Sequence, residues 1–243
     1  MNRSLRTSPM FRKLKEIQTL LNGITDGPSH RLVGYCKEYS ITTVLDVGAN
    51  VGQFGVDLRR NGYDGKIYSF EPVKKNYDSL ILTTKNDSNW HALNLALGEE
   101  SGIAQINVSN NAGLSSSILP MGELHKGAFP NSAYVYSEEV KISTLRDEFG
   151  KLGIDPSATL LKMDVQGYEK KVILGGFNLI SKIPVCFLES SIAPLYTGEA
   201  SLLELLKLLD TLGHNLLDVF RGAHDQHGRL LQVDIITSSI RNK

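Results

Sequence analysis

The chain has 243 residues, a length that suits one large α/β domain or one domain with a small extension. With 41% hydrophobic and 21% charged residues it can bury a sizeable core, which excludes a disordered chain. Lys and Arg together number 26, as do Asp and Glu, and this balance argues against a general nucleic-acid binder, whose surface is basic.

The first stretch carries Arg3, Arg6, Arg12, Lys13 and Lys15, with Met10, Phe11, Leu14, Ile17, Leu20 and Leu21 at helical spacing. It predicts an amphipathic helix over 9–22, docked on the domain or in peripheral contact with a membrane. A break from Gly23 to Pro28 precedes a short helix over 29–39. Strands and helices then alternate: strand Thr43–Val47, helix 54–61, strand Lys66–Phe70, helix Lys74–Thr84, strand 90–97. Such alternation favours a parallel sheet with helices on both faces. Gly102–Ser109 reads as a strand in an antiparallel setting. Residues 110–137, rich in Ser, Gly, Asn and Pro, read as an inserted loop or lid. A short strand at 139–142 leads to a helix at 144–152. The fourth and fifth core strands fall at 159–165 and 185–190, with helices at 168–175 and 201–212. Two strands at 215–220 and 230–237 complete the sheet.

No apolar run approaches the roughly 20 residues of a membrane span, and no continuous apolar segment of signal-peptide type opens the chain. A cytoplasmic enzyme is the expectation. Cys36 and Cys186 are too few for a disulfide framework and have no metal-ligand spacing, so both are expected reduced and at least partly buried. The oligomeric state is not legible.

The first chemical signal is Asp46-Val47-Gly48-Ala49-Asn50-Val51-Gly52, between a strand and a helix. Gly48 permits a sharp turn and close approach of a ligand, Gly52 tight helix–strand contact, and the helix N-terminus offers free N–H groups. A dinucleotide site would also want glycine at position 50, where its backbone touches pyrophosphate; Asn50 stands there. S-adenosylmethionine has no pyrophosphate. Glu71, just past the second strand, can accept hydrogen bonds from both ribose hydroxyls of either cofactor. Asp46 either orders the loop or faces the cofactor's ammonium group through water.

Segments Val44 to Phe54, Phe70-Glu71-Pro72, Leu161-Lys162-Met163-Asp164-Val165-Gln166-Gly167-Tyr168-Glu169 and the Leu188-Glu189 strand end resemble the FkbM family of S-adenosylmethionine-dependent methyltransferases. The resemblance runs from about residue 41 to 237. It implies a class I methyltransferase domain over 41–243, behind an N-terminal helical extension over 1–40. It also implies a Rossmann-like sheet of order 3-2-1-4-5-7-6 with an inserted strand and loop region. Cofactor binding then falls to Asp46, Gly48, Asn50, Gly52, Phe54, Glu71, Pro72 and Asp164. The implied reaction is O-methylation of a hydroxylated small molecule or glycan.

Asp164 and Glu189 end neighbouring strands and should face one crevice. Either could be a general base, or the pair could hold Mg2+ against substrate hydroxyls; Asp164 could equally cap the following helix. Lys162, inside an apolar strand, needs a carboxylate, with Asp164 or Glu169 as candidates; Glu169 otherwise reads as a first-turn helix acid. In the last loop His224 could act as a base, or with His227 contact substrate, or both could belong to a solvated hairpin. Ser115, Ser116, Ser117, Asn110 and Asn111 either bind a polyhydroxylated acceptor or form a polar turn. A nicotinamide-dependent oxidoreductase and a non-catalytic cofactor-binding module are the competing readings.

Overall fold

The computed structural model describes residues 27–239, and the expected helix over 9–22 lies outside them. The first described helix, α1 (Pro28–Glu38), starts with proline at its first position, where the missing N–H costs nothing. Its Leu32, Val33 and Cys36 are buried against Val44 and Ile67 of the sheet. The next elements are β1 (Thr43–Val47), α2 (Gln53–Arg60), β2 (Lys66–Phe70), α3 (Lys74–Thr84) and β3 (Trp90–Leu93). After an inserted region come α5 (Leu145–Leu152), β7 (Thr159–Met163), α6 (Glu169–Gly175), α7 (Phe177–Ile180) and β8 (Val185–Ser191). The helix α8 (Leu202–Thr211) and strands β9 (Asn215–Arg221) and β10 (Gln232–Ser238) complete the domain.

Seven strands form one sheet of order β3-β2-β1-β7-β8-β10-β9. β10 runs antiparallel to both neighbours and the remaining pairs are parallel. With β7 to β10 as the fourth, fifth, sixth and seventh core strands, this is the expected 3-2-1-4-5-7-6 order. Strand alternation assigns the two cores. Leu45, Val47, Phe70, Leu161, Met163 and Leu188 point to α5, α6 and α8, with Leu145, Val172 and Leu205 across from them. Val44, Ile67, Leu160 and Phe187 point to the face of α1 and α2. Among the described residues no helix is long and apolar enough to cross a membrane.

One expected strand is two. Residues 90–97 divide into β3 and β4 (Ala96–Gly98), and the halves join different sheets. At the break, Asn94 Nδ2 donates to the Glu71 and Pro72 carbonyls at 2.9 and 2.8 Å, a side-chain bond that competes with the ladder. β4 then pairs with β6 (Tyr134–Thr144), which also pairs antiparallel with β5 (Gly102–Ser109). β6 extends the expected 139–142 strand into the supposed loop, because Tyr134 to Ser137 continue the pairing with β5. The rest of the loop holds a short helix, α4 (Glu123–Ala128).

Helix ends follow local chemistry. Thr144 caps α5 by accepting from the Asp147 N–H, and Gly153 ends it at φ 60°. Ser201 and Glu204 form a reciprocal capping box on α8. Ser201→Ala is expected to cost about 1 kcal/mol, read as a lower denaturation midpoint with an unchanged denaturant slope.

Candidate active site

The loop after β1 is shaped by close backbone approach. A Cβ on Gly48 (φ 77°) would sit 1.9 Å from the Asp164 carbonyl oxygen, so β1 and β7 can only end side by side if this residue is glycine. Asn50 adopts φ 51°, a left-handed conformation that asparagine tolerates better than most non-glycine residues. The loop's amides are spent internally. The Gly48 and Ala49 N–H groups both donate to the Phe70 carbonyl at 3.0 Å, and Gly52 donates to Ala49. Asn50 N–H donates to Glu71 Oε2 at 2.8 Å, and Val51 N–H to the Asn50 side-chain oxygen at 2.8 Å. The N–H groups of Gly48–Gly52 are therefore spent, whereas the sequence expectation of free N–H groups concerned the start of the helix, which falls at Gln53. A pyrophosphate would find none of these donors available.

Beneath the loop lies a buried cation. Lys162 Nζ is 3.0 Å from Asp46 Oδ1, donates to the Gly48 carbonyl at 2.8 Å, and lies 5.6 Å from the centre of the Phe54 ring. Asp46 is fully buried and also accepts from Ser69 Oγ at 2.9 Å. The lysine's main partner is therefore Asp46; Asp164 is more distant at 3.9 Å, and Glu169 is not paired with it. Sequence spacing pointed to the near neighbours along β7, whereas pairing brings Asp46 directly beside Lys162. Asp46 thus orders the loop from below and is not on the wall of the cavity above it. Phe54 stacks on Phe187, with centroids 5.8 Å apart, and also faces away from that cavity, as does Gly52 against Leu80, Thr83 and Trp90.

That cavity, about 650 Å³ of open space, lies at the C-terminal ends of β1, β2 and β7. Gly48, Asn50, Glu71, Pro72 and Asp164 line it. Glu71 is nearly buried, with Asn50 N–H on one oxygen and Val73 N–H on the other at 2.9 Å. Each oxygen keeps a free lone pair. Burial pushes its carboxyl up to about 7, against the two N–H bonds and Lys162, which lower it. Ala96, Leu97, Ile106 and Ile118 supply an apolar wall. The inserted region forms the roof. Asn50 Nδ2 donates to the Ala112 carbonyl at 3.2 Å, and Ser117 Oγ to the Gln166 carbonyl at 2.7 Å.

Asp164 and Glu189 do come together, through a residue to which no role was given. Gln166 Nε2 donates to Asp164 Oδ1 and to Glu189 Oε2, both at 2.7 Å. Gln232 Nε2 donates to the same Glu189 oxygen at 2.7 Å. Burial, with Asp164, Glu169 and Asp234 close by, drives the Glu189 carboxyl well above the usual range. Asp164 does not cap α6, which begins at Glu169 with Tyr168 at its cap. Instead Glu169 reaches back to the Val165 N–H at 2.9 Å. The serine segment is tied up in its own turn: Ser115 N–H donates to Ser109 Oγ and Asn111 Oδ1, and Ser109 N–H to Ser116 Oγ. Ser116 and Ser117 still touch the cavity. β9 does run parallel to the core, yet His224 pairs with Arg221 at 3.0 Å and lies outside the cavity lining, as does His227. Tyr196 and His125, buried above Gln166, had no sequence signal.

The family model described as the methyltransferase FkbM domain matches residues 46–216, most of the chain. The chain belongs to the FkbM methyltransferase family. This FkbM-family chain is a methyltransferase, as the resemblance of its Gly48 loop, Glu71 and Lys162–Glu169 segments implied. No curated protein sequence matches it significantly. Among solved structures it is similar to magnesium protoporphyrin IX methyltransferase from Synechocystis PCC 6803, with 10% identity and a TM-score of 0.46, over 86% of this chain and 77% of that one. It is also similar to Aeropyrum pernix fibrillarin in complex with S-adenosyl-L-methionine, with 14% identity and a TM-score of 0.44, over 81% and 66% of the two chains. Neither likeness bears on the substrate or the mechanism of the FkbM-family chain.

Proposed function

We propose that this enzyme transfers a methyl group from S-adenosylmethionine to a hydroxyl of a sugar-containing or other hydroxylated small molecule, with Asp164 as the general base. One observation carries the reading: a single cavity is lined by both Glu71 and Asp164. The free lone pairs of Glu71 suit the two ribose hydroxyls, and the apolar wall suits adenine. The spent amides of the Gly48 loop tell against a dinucleotide, and so against the oxidoreductase alternative. The half-exposed Asp164, 40% accessible, is the better base because it opens to the cavity, whereas Glu189 is not part of the lining.

When bound, S-adenosylmethionine supplies an electrophilic methyl on a cationic sulfur. Asp164 takes the hydroxyl proton as the acceptor oxygen bonds to the methyl and the old carbon–sulfur electron pair returns to sulfur. A magnesium ion on Asp164 and Glu189, the other sequence expectation, fits poorly because the Gln166 amide fills the space between the carboxylates. Among the described residues no group of three or more His, Cys, Asp or Glu is arranged to hold a metal.

Calorimetric titration with S-adenosylmethionine, S-adenosylhomocysteine and NAD tests the donor; tight NAD binding without the other two sinks the reading. A screen of hydroxylated acceptors with labelled donor, with and without magnesium, tests the acceptor class and the metal. Glu71 adds a pH signature. Ribose hydroxyls donate to the ionised carboxylate, so affinity should rise with pH up to about 7 and level off above it. Glu71→Gln should weaken S-adenosylhomocysteine about tenfold and abolish that pH dependence. An unchanged slope in the variant would remove Glu71 from the ribose.

A further inference from the structure

Gln166 is held from the side opposite the carboxylates by two buried residues. Tyr196, in the loop between β8 and α8, lies with its hydroxyl 2.7 Å from Gln166 Oε1. His125, from α4 in the inserted region, lies with Nε2 3.2 Å from that hydroxyl. Both side chains are almost wholly buried, at 1% and 2% exposure. Gln166 itself is turned into the left-handed region at φ 53°, and its carbonyl is held by Ser117. A non-glycine residue keeps that conformation only where its surroundings impose it.

Gln166 Nε2 donates to Asp164 and Glu189, which leaves Oε1 to face Tyr196. Tyr196 must then donate its one hydroxyl proton to Oε1. His125 Nε2 meets the same hydroxyl, while its Nδ1 lies 3.3 Å from Ser132 Oγ, which donates to the Phe129 carbonyl, so the imidazole ties Tyr196 to the inserted region from both ring nitrogens. We propose that His125 and Tyr196 are positioning residues, which through these buried contacts set the orientation of the Gln166 amide and hence the direction in which Asp164 faces the acceptor. The inserted region would then align the reacting carboxylate as well as roof the cavity. The inference rests on the methyltransfer reading for its consequence, while its geometry stands without it.

Nitrogen and carbon NMR on the free, full-length protein can test it. The Gln166 side-chain amide protons should exchange slowly, and Tyr196→Phe should speed their exchange at least about tenfold and shift the Asp164 carboxyl resonance. His125→Phe should do the same, and His125→Gln, which can still hydrogen-bond the phenol, should restore the wild-type signals. With an acceptor from the screen, Tyr196→Phe should lower kcat about tenfold and leave S-adenosylhomocysteine affinity unchanged. Unchanged Gln166 and Asp164 signals in Tyr196→Phe overturn the proposal. A lower Tm with kcat intact also overturns it, by reducing both residues to a structural role. Should Tyr196→Phe fail to fold, the His125→Phe and His125→Gln pair decides. Failure of S-adenosylhomocysteine to bind at all would instead indict the donor reading, which these signals do not depend on.

Discussion

Asp164→Asn is expected to lower kcat by about 100- to 10,000-fold, the usual contribution of a positioned general base, while S-adenosylhomocysteine still binds. The substitution is conservative in shape. An asparagine oxygen can still accept from Gln166 Nε2, so the clamp to Glu189 survives. What is lost is the basic oxygen at the cavity. Glu189→Gln provides the contrast: Glu189 lies off the cavity lining, so its loss should cost activity far less. The measurement is single-turnover methyl transfer to an acceptor found in the screen, with calorimetry on the same preparations. Full activity in Asp164→Asn would rule out this carboxylate as the base. Equal losses in both variants would point to the pair acting as a unit.

Lys162→Met should destabilise the fold by about 3–5 kcal/mol, the cost of leaving one half of a buried ion pair without its partner. Asp46 has no route to water, and Ser69 is the other side chain seen bonding its carboxylate. The Gly48 carbonyl also loses its 2.8 Å donor, so the loop should loosen as well. The double variant Asp46→Leu, Lys162→Met removes both charges and should recover much of the loss, because two apolar side chains need no partner. Urea unfolding of the single and double variants measures the difference. A single variant within 1 kcal/mol of wild type, a margin typical of exposed pairs, would mean that the pair is solvated in solution.

The parallel sheet was legible because its strands read as apolar runs between turn signals. Thr43–Val47, Lys66–Phe70 and Lys74–Thr84 appear with the bounds their residues suggest. Misreadings occurred where a side chain or a distant strand competed with local pattern. Asn94 ends β3 by bonding the Glu71 and Pro72 carbonyls, and β6 runs through polar residues because β5 lies alongside to pair with them. Neither effect is visible in a window of neighbouring residues.

For the site, the sequence by itself determined the pieces that act where they stand. Gly48 and Asn50 are backbone requirements of one tight turn, and Glu71 and Asp164 sit at strand ends, which a parallel sheet gathers at one edge. Tertiary structure alone decided the partners. It gave Lys162 to Asp46 across the β1–β7 pairing, turned Phe54 toward Phe187, and left His224 with Arg221 outside the cavity. It also brought His125 and Tyr196, 71 residues apart, onto Gln166. The reason is physical: a turn conformation is encoded by the few residues that adopt it, whereas a hydrogen bond between distant residues exists only once the chain has packed.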